Sequence, residues 1–497
     1  MYSFTLDDLK VTLRDLSGIL QVLSIVMLVP VAATVFYTSA QSKTELFHEM
    51  LAFLLPSLVF YMLYTLSKKA GKTKTETRTS HALTTVVVAW MIIAIVGMLP
   101  FLVRGTLGPV DSFFESMSGW ATTGMTMIEY PENIDKDILL YRSLTHLVGG
   151  VGIIALGLVV FLNTGKAAAE YYGSEVGVQR IKPGIRGTVV ETWKIYMLYA
   201  FAGTILYFIA GMSFFDALNH SWAAIATGGF STHSQSIGHF DSVVIEVITI
   251  LLMLAGAVSF LLHYRLFTGD VKSLLSNVES KFMFFLILTS TLVVWASVFN
   301  SAPDFNSASP AISLRKSAFQ TVSAITCTGF GTSDTGQWPE LAQTVLIMLM
   351  YSGGFYGSTA GGIKLLRLAV IVKSIHYVFK RMMLPKNAVV AFKLGEKNID
   401  FADLLYVLGF SMIYLIISLV GAILLMSLGF TGMEGVELSF SAMGNVGIVF
   451  VTGARWFEMV SSGKIVLALL MWIGRLEVFP ILLLLRPLVR RKNKMRG

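Results

Sequence analysis

The sequence contains little charge for its length. Only 14% of its 497 residues are charged, whereas 55% are hydrophobic. A soluble globular domain carries about 25% charged residues, so this composition excludes an ordinary soluble domain. Uninterrupted apolar stretches of about 20 residues, the length that spans a bilayer, recur from end to end. The composition therefore predicts an integral membrane protein.

Cysteines and metal-ligand clusters are also scarce. The single cysteine, Cys327, excludes a disulfide bond within the chain. No group of cysteines and histidines has the spacing of a metal site. His220, His233 and His239 fall in one loop region and could in principle bind a metal, but no carboxylate or cysteine pattern supports such a site.

The apolar stretches predict roughly ten crossings of the membrane. The net charge is +8, but the basic residues lie in short loops between the spans, which is typical of topology signals and not of a nucleic-acid-binding surface. These basic loops alternate with more acidic ones. The positive-inside rule therefore places both termini and the basic loops in the cytoplasm. The predicted spans lie near 15–37, 49–67, 83–103, 140–162, 192–212, 243–264, 282–300, 341–373, 403–429 and 464–486.

Four segments align without gaps around a glycine, and we name the loops at these glycines glycine loops 1 to 4. Each segment has Ser or Thr eight residues before the glycine, two small residues five and six before it, and a bulky apolar residue after it. Another glycine follows each loop inside the next span. The segments are SMSGWATTGMT (Ser116–Thr126), SWAAIATGGFS (Ser221–Ser231), TVSAITCTGFG (Thr321–Gly331) and SFSAMGNVGIV (Ser439–Val449). The loop glycines are Gly124, Gly229, Gly329 and Gly447, and the downstream glycines are Gly149, Gly256, Gly353 and Gly474.

The repeat predicts an all-α membrane fold. Each unit consists of a span, a short apolar segment, a glycine loop and a second span. Because each unit crosses the membrane an even number of times, the four units are expected to be parallel around one axis along the membrane normal, in a pseudo-fourfold arrangement. The expected divisions are 1–78 (two extra N-terminal spans), 79–166, 167–275 and 276–385 (repeats one to three), and 386–497 (repeat four with a basic tail).

The short segment before each loop glycine is only about ten residues long, so it predicts a re-entrant half-helix that does not cross the bilayer. Glycine permits backbone angles at which successive carbonyls can point the same way. Four such loops can form a ring of carbonyl oxygens that replaces the water shell of a cation. The residues before the glycines share no titratable group, which indicates that the backbone binds the ion. The candidate filter residues are Thr122, Thr123, Gly124, Thr227, Gly228, Gly229, Cys327, Thr328, Gly329, Asn445, Val446 and Gly447.

Two further motifs, together with the four loops, carry a family resemblance. They are SGGFYGSTAGGIKLLR (Ser352–Arg367) and WIGRLEVFP (Trp472–Pro480). With them, essentially the whole chain resembles the membrane subunit of the Trk/Ktr/HKT potassium transport superfamily, and most closely its TrkH branch. The resemblance implies potassium uptake through a pore made by one chain in the inner membrane, with potassium at the filter residues, no organic cofactor, and a homodimer surrounded by membrane lipid. Some sodium-permeable plant relatives carry Ser at the first filter position, where this chain has Gly124.

The resemblance also implies a gate. The glycines of GGFYGSTAGGIK make an unbroken helix unfavourable, and in the family this stretch is an intramembrane loop beneath the filter. Lys364 ends it, either as a gating residue or as a lysine that reaches the membrane surface. A charge at the depth of Arg475 is costly unless it faces protein or water, so we expect it to face the pore, paired with Glu477 or with carbonyls of Gly357–Gly362. The candidate gating residues are Gly353, Gly354, Gly357, Ser358, Thr359, Gly361, Gly362, Lys364, Arg475 and Glu477.

The cytoplasmic loops are too short to fold a nucleotide-binding domain. The family pairs this subunit with a cytosolic nucleotide-binding ring, called TrkA in the TrkH branch. Loops 166–194 and 373–397 are candidate docking surfaces, although topology signals and lipid headgroup contacts explain their basic residues equally well. No catalytic constellation of polar residues is evident, so we do not expect an enzyme. The alternative function is a secondary cation transporter, coupled to sodium or protons, that uses the same loops as an ion site.

Overall fold

The computed structural model describes residues 5–37, 42–163, 185–301, 309–385, 392–394, 397–451 and 453–482. Nearly all regular structure in this part of the chain is α-helical. The exceptions are three short 3-10 helices, Pro131–Asn133, Ser236–Phe240 and Thr335–Gln337, and a two-residue antiparallel ladder, Lys393–Leu394 with Lys397–Asn398. The prediction of an all-α membrane protein is confirmed.

The described helices are numbered in chain order. They are α1 (Leu6–Val26), α2 (Leu28–Tyr37), α3 (Lys43–Ala70), α4 (Thr79–Gly97), α5 (Leu99–Val103), α6 (Pro109–Trp120), α7 (Lys136–Asn163), α8 (Ile185–Ile209), α9 (Phe214–Ile225), α10 (Val243–Ala257), α11 (Phe260–Phe267), α12 (Val271–Ser276), α13 (Val278–Ser301), α14 (Pro310–Ile325), α15 (Glu340–Ser352), α16 (Leu365–Met382), α17 (Phe401–Ser427), α18 (Gly432–Met443), α19 (Ala454–Phe457) and α20 (Ser461–Arg475).

Six segments of the described chain are long and apolar enough to cross a membrane, and a seventh qualifies if the bent pair α10–α11 is counted as one span. The pair bends by 107°, so the predicted span 243–264 is not straight. The predicted span 464–486 is also not continuous, because α20 ends at Arg475 and both Glu477 and Val478 have left-handed backbone with φ of +56°. The six segments are Leu6–Tyr37, Lys43–Ala70, Ser80–Val103, Gly187–Ile209, Val278–Phe299 and Phe401–Ser427.

The helices that precede the glycine loops are short, as the half-helix prediction requires. These four short helices are α6, α9, α14 and α18, with 12, 12, 16 and 12 residues. At 1.5 Å per residue, a helix of 12 residues is about 18 Å long, well below the roughly 30 Å of a hydrocarbon core. Each short helix therefore ends within the protein, where its last turn leads into a glycine loop.

In the second and fourth units, the hydroxyl residue eight positions before the loop glycine joins the short helix to the span before it. Ser221 donates a hydrogen bond to the Ala200 carbonyl at 2.6 Å, and Ser439 donates one to the Ser418 carbonyl at the same distance. A Cβ at Gly421 would lie 2.5 Å from the Ser439 Oγ and 2.7 Å from a Leu470 methyl. In these two units the serine thus marks a close crossing of two helices.

Two N-terminal spans pack outside this arrangement. Side chains of α1 and α3, among them Leu20 and Phe53, share a buried cluster with Phe101, Trp120 and Tyr141. A second cluster lies around glycine loops 3 and 4 and contains Cys327, which is fully buried. The apolar core therefore surrounds the glycine loops and holds the N-terminal spans against the first unit.

The close crossing at Gly421 predicts a stability difference within one helix. Gly421→Val should lower stability by about 1–3 kcal/mol, because the added atoms overpack the contact with Ser439 and Leu470. Gly409→Val is the matched control, since Gly409 is in the same helix with nothing within 4 Å of an added Cβ. Thermal unfolding of the detergent-solubilised variants measures the difference, and equal midpoints would contradict this account of the crossing.

Candidate functional site

The four glycine loops have the same backbone conformation despite their different side chains. Each glycine has positive φ, with values of +86°, +80°, +84° and +89° at Gly124, Gly229, Gly329 and Gly447. The residue two before each glycine is also left-handed, with φ between +51° and +55°, although none of these residues is glycine. Such angles are uncommon for side-chain-bearing residues. These four residues are Thr122, Thr227, Cys327 and Asn445.

This shared conformation begins with the same helix ending. In glycine loop 1, the Thr122 N–H donates to the Gly119 carbonyl at 3.1 Å, and the Thr123 N–H donates to the Ser118 carbonyl at 2.9 Å. The other three loops repeat both bonds at distances between 2.8 and 3.2 Å. This is the Schellman arrangement, which satisfies the last carbonyls of a helix by a left-handed residue. The accepting carbonyls belong to the pair of small residues found in the sequence repeat.

The loops touch one another in cyclic order. A Cβ added at Gly124 would collide with the Gly228 carbonyl oxygen of loop 2. The same collision occurs between Gly229 and Thr328, between Gly329 and Val446, and between Gly447 and Thr123. The contacts run from loop 1 to 2 to 3 to 4 and back to 1, so they close a ring. Each of these positions therefore requires glycine for two reasons. Its positive φ is unfavourable for a residue with a side chain, and the carbonyl of the neighbouring loop leaves no room for a Cβ.

The side chains around the ring fasten it to the surrounding helices. The Asn445 amide donates to the Thr123 hydroxyl at 3.0 Å and to the Met471 carbonyl at 2.9 Å, which joins loop 4 to loop 1. Cys327 is fully buried against apolar neighbours. The side chains thus have different packing roles, and the feature shared by the four loops is their backbone.

The downstream glycines bring the second spans against the ends of the short helices. A Cβ at Gly149 would collide with the carbonyl of Trp120, the last residue of α6. Gly256 and Gly474 face the carbonyls of Ile225 and Met443, the last residues of α9 and α18. The third unit differs from the other three. There α15 ends at Ser352 and Gly353, with φ of +71°, begins loop 353–364.

Loop 353–364 is packed against two glycine loops. The Thr359 hydroxyl donates to the Ile225 and Gly256 carbonyls at 3.1 and 2.9 Å, and it lies 3.2 Å from the Thr227 hydroxyl of loop 2. A Cβ at Gly361 would collide with the carbonyl of Gly444, where loop 4 begins. The predicted interruption of the third unit's second span is therefore present, and the structure brings it against the ring at two places.

Arg475 binds loop 353–364 through the backbone. Its guanidinium donates to the Thr359 carbonyl at 2.9 Å and to the Gly149 carbonyl at 3.0 Å, and the residue is 3% exposed. The prediction offered Glu477 or the loop carbonyls as its partner, and the structure selects a loop carbonyl. Arg475 thereby links the loop to the second span of the first unit.

Glu477 pairs with a residue that the sequence reasoning missed. Its carboxylate lies 2.8 Å from a guanidinium nitrogen of Arg367 and 3.4 Å from the Tyr356 hydroxyl. The suggestion that Glu477 pairs with Arg475 is therefore wrong. The signal for Arg367 was present, because it follows Lys364 within the same apolar segment, and a charge there needs a partner.

Lys364 does not extend to the membrane surface. It is 6% exposed, its φ is +79°, and its ammonium donates to the Ala360 carbonyl within loop 353–364. A lysine that snorkels would place its ammonium in water at the membrane face, so that alternative is wrong. A gating role for Lys364 stays a prediction.

The structure brings His220, His233 and His239 together. The rings of His233 and His239 stack at 3.7 Å, and the centroid of His220 lies 6.5 Å from that of His233. His233 also lies 3.5 Å from a carboxylate oxygen of Asp216. Among the described residues, no group of three or more His, Cys, Asp and Glu side chains is arranged to hold a metal ion.

Comparison with known proteins yields consistent matches. The sequence model of the TrkH family, described as a cation transport protein, matches residues 48–493. An uncharacterized cation transporter of Methanocaldococcus jannaschii is 33% identical, over 97% of this chain and 96% of its own. The Trk system potassium uptake protein TrkH of Escherichia coli K12 is 32% identical, over 84% of this chain and 87% of its own. The crystal structure of the potassium transporter TrkH from Vibrio parahaemolyticus superimposes with a TM-score of 0.83 and 28% identity, covering 96% of this chain and 98% of that chain.

The contacts of Arg475 predict that it holds loop 353–364 in place. Arg475→Gln should speed amide hydrogen exchange in residues 353–364 by about tenfold, because an unpaired buried carbonyl costs about 1–3 kcal/mol. Lys464→Gln is the control, since Lys464 is in the same helix and pairs with Asp111 at 2.5 Å, away from the loop. If both variants exchanged at the wild-type rate in this loop, Arg475 would not be its restraint.

Proposed function

The chain belongs to the TrkH family of cation transport proteins, and we propose from this membership that it takes up potassium across the cytoplasmic membrane. It is accordingly a multi-pass membrane transporter and not an enzyme. Relatives at 32% identity are named as potassium uptake proteins, which supports potassium as the transported ion. Potassium is then the cargo of this chain.

The observation that carries the proposal is the closed ring of glycine loops. Four loops with one backbone conformation meet in cyclic contact, and they can offer equivalent carbonyl oxygens to one ion. Carbonyl rings of this kind replace the hydration shell of potassium in selective channels. The short helices end at these loops, and a helix C-terminus carries partial negative charge that favours a cation nearby. We propose that the loops form a selectivity filter on the axis of four parallel repeats.

We propose that loop 353–364 is the gate beneath this filter. It is packed against loops 2 and 4 through Thr359 and Gly361, so it must move for an ion to pass on that side. Arg475 would hold the closed state through the Thr359 carbonyl. The pair of Arg367 and Glu477 anchors the loop through Tyr356, whose hydroxyl lies 3.1 Å from the Arg367 guanidinium. The glycines at both ends allow the backbone to swing.

The proposed assembly has four repeats at 79–166, 167–275, 276–385 and 386–497, preceded by two extra spans in 1–78, with both termini in the cytoplasm. A homodimer surrounded by lipid and bound to a cytosolic nucleotide-binding ring of the TrkA type is its proposed working form. Loops 166–194 and 373–397 remain the candidate docking surfaces, although 166–184, 386–391 and 395–396 lie outside the described residues.

Substitution of the first filter glycine should alter selectivity. Gly124→Ser is expected to lower the preference for potassium over sodium by about tenfold, or about 1.4 kcal/mol, because a side chain at φ of +86° must displace the Gly228 carbonyl. Radioactive rubidium uptake into proteoliposomes, competed with potassium or sodium, measures this preference with and without the cytosolic ring.

Gly105→Ser is the matched control for backbone strain. Gly105 also has positive φ, +65°, but nothing lies within 4 Å of an added Cβ. The control should keep the wild-type preference. A Gly124→Ser protein with unchanged preference would count against the filter assignment, and wild-type protein without potassium-dependent flux, with and without the ring, would refute the proposed function itself.

The same proposal predicts a bound ion inside the ring. Crystals grown in rubidium should show an anomalous peak surrounded by the carbonyls of glycine loops 1 to 4, about 3 Å from several oxygens, because rubidium is coordinated like potassium. Crystals grown in sodium without rubidium are the control. A rubidium peak found only outside the ring would contradict the site.

A further inference from the structure

A buried charge pair lies at one side of the glycine-loop ring and is not among the residues assigned above to the proposed filter or gate. Arg142 is in α7 and is 2% exposed, while Glu115 is in α6 and is fully buried. The Arg142 Nε lies 2.8 Å from a Glu115 carboxylate oxygen. Taking both charges out of water is costly, so a pair kept at this depth needs an explanation.

The pair binds two neighbouring loops at once. Besides Glu115, the Arg142 guanidinium donates to the Thr126 hydroxyl of loop 1 at 3.0 Å and to the Ser231 carbonyl of loop 2 at 3.1 Å. Glu115 accepts from the Thr126 hydroxyl at 2.9 Å and from the Met127 N–H at 2.8 Å. Thr126 and Ser231 both stand two residues beyond their loop glycine. One guanidinium therefore bridges equivalent positions of loops 1 and 2.

The same group also holds the side chain next to the second loop glycine. Phe230 contacts both the Arg142 guanidinium, 4.1 Å from its ring centroid, and the His146 ring, which stacks on it at 4.2 Å. In the sequence repeat, the place of His146 is taken by Met253, Met350 and Met471 in the other units.

His146 also explains why loop 2 differs from the other three loops at residue 228. A Cβ at Gly228 would collide with the imidazole ring, so this loop has glycine where the others have Thr123, Thr328 or Val446. Loop 2 is therefore shaped to fit the stack of Arg142, Phe230 and His146.

The other units have different side chains at the position of Glu115. Nine residues before the loop glycine stand Glu115, His220, Gln320 and Leu438. His220 is 2.9 Å from the Ser231 hydroxyl, and Gln320 donates to the Ser333 carbonyl at 3.4 Å, each within its own unit. The fourth unit has Leu438 there, and it has Leu467 at the position of Arg142. Two leucines thus occupy this place in one unit of the native fold.

We propose that Glu115 and Arg142 form an inter-loop clamp that sets the spacing of glycine loops 1 and 2 and thereby the choice between cations. The inference rests on the proposed function. Arg142 is a positioning residue, which acts on the ion through the backbone of both loops. Without the clamp, loops 1 and 2 keep their glycine contact but lose their fixed separation beyond it, so the ring discriminates less well by ion size.

The decisive variant copies the fourth unit. Glu115→Leu together with Arg142→Leu removes both charges at once and leaves no buried charge unpaired. We expect this protein to take up potassium, with a preference for potassium over sodium lowered by about tenfold, which corresponds to about 1.4 kcal/mol. Arg455→Met is the matched control, because the exposed Arg455 of α19 pairs at 2.6 Å with Glu434 in the first turn of α18, at the end of that helix far from glycine loop 4. The preference of the wild type, the double variant and the control is measured by rubidium uptake into proteoliposomes of the full chain, in competition with potassium or sodium.

A double variant that transports potassium with the wild-type preference overturns the clamp while leaving the proposed function intact. If the double variant does not fold, Arg142→Lys decides the question, because lysine keeps the charge but cannot span Glu115, Thr126 and Ser231 with a planar fork. The clamp predicts reduced preference in Arg142→Lys, and an unchanged preference refutes it. Wild-type protein that lacks potassium uptake would instead refute the proposed function, which separates the two failures.

Discussion

The close approach of four backbone loops is the constraint on which this structure depends. At each loop glycine, the carbonyl oxygen of the next loop occupies the space of a side chain. Such contact is possible only where both a Cβ is absent and a positive φ is allowed. The ring of contacts also requires four helix ends to converge at one place. Backbone without helical hydrogen bonds inside a membrane protein must be buried in protein or line a cavity. The short helices, the Schellman endings and the downstream glycines all serve this convergence.

The third unit departs from the others at the position of the downstream glycine. In the other units, the downstream glycine packs a helix against the end of a short helix, as Gly149 does against Trp120. In the third unit, α15 stops at Ser352, and the chain returns as a buried loop whose Thr359 binds the second unit instead. In three units the second span thus packs directly against a short helix, and in the third unit a buried loop takes its place. The proposed gate is therefore a modified copy of an element that all four units share.

Three buried arginines of this membrane protein each connect separate segments. Arg475 joins loop 353–364 to α7, Arg367 joins α16 to Glu477 beyond α20, and Arg142 joins loops 1 and 2. An isolated charge at membrane depth would be costly, so these side chains are stable only while their partners stay in place. This makes them sensitive to the relative position of the segments, which is the property that a gate or a filter needs.

The sequence by itself determined the local features: a helical membrane chain, half-helices too short to span, the register of the four loop glycines and the interruption near Gly353. These follow from composition, length and repetition, which act through neighbouring residues. The tertiary structure decided which groups meet. It paired Arg475 with the Thr359 carbonyl and Glu477 with Arg367, and it bent the span at 243–264. Such choices depend on distances between segments far apart in the chain, and neither hydropathy nor spacing carries that information.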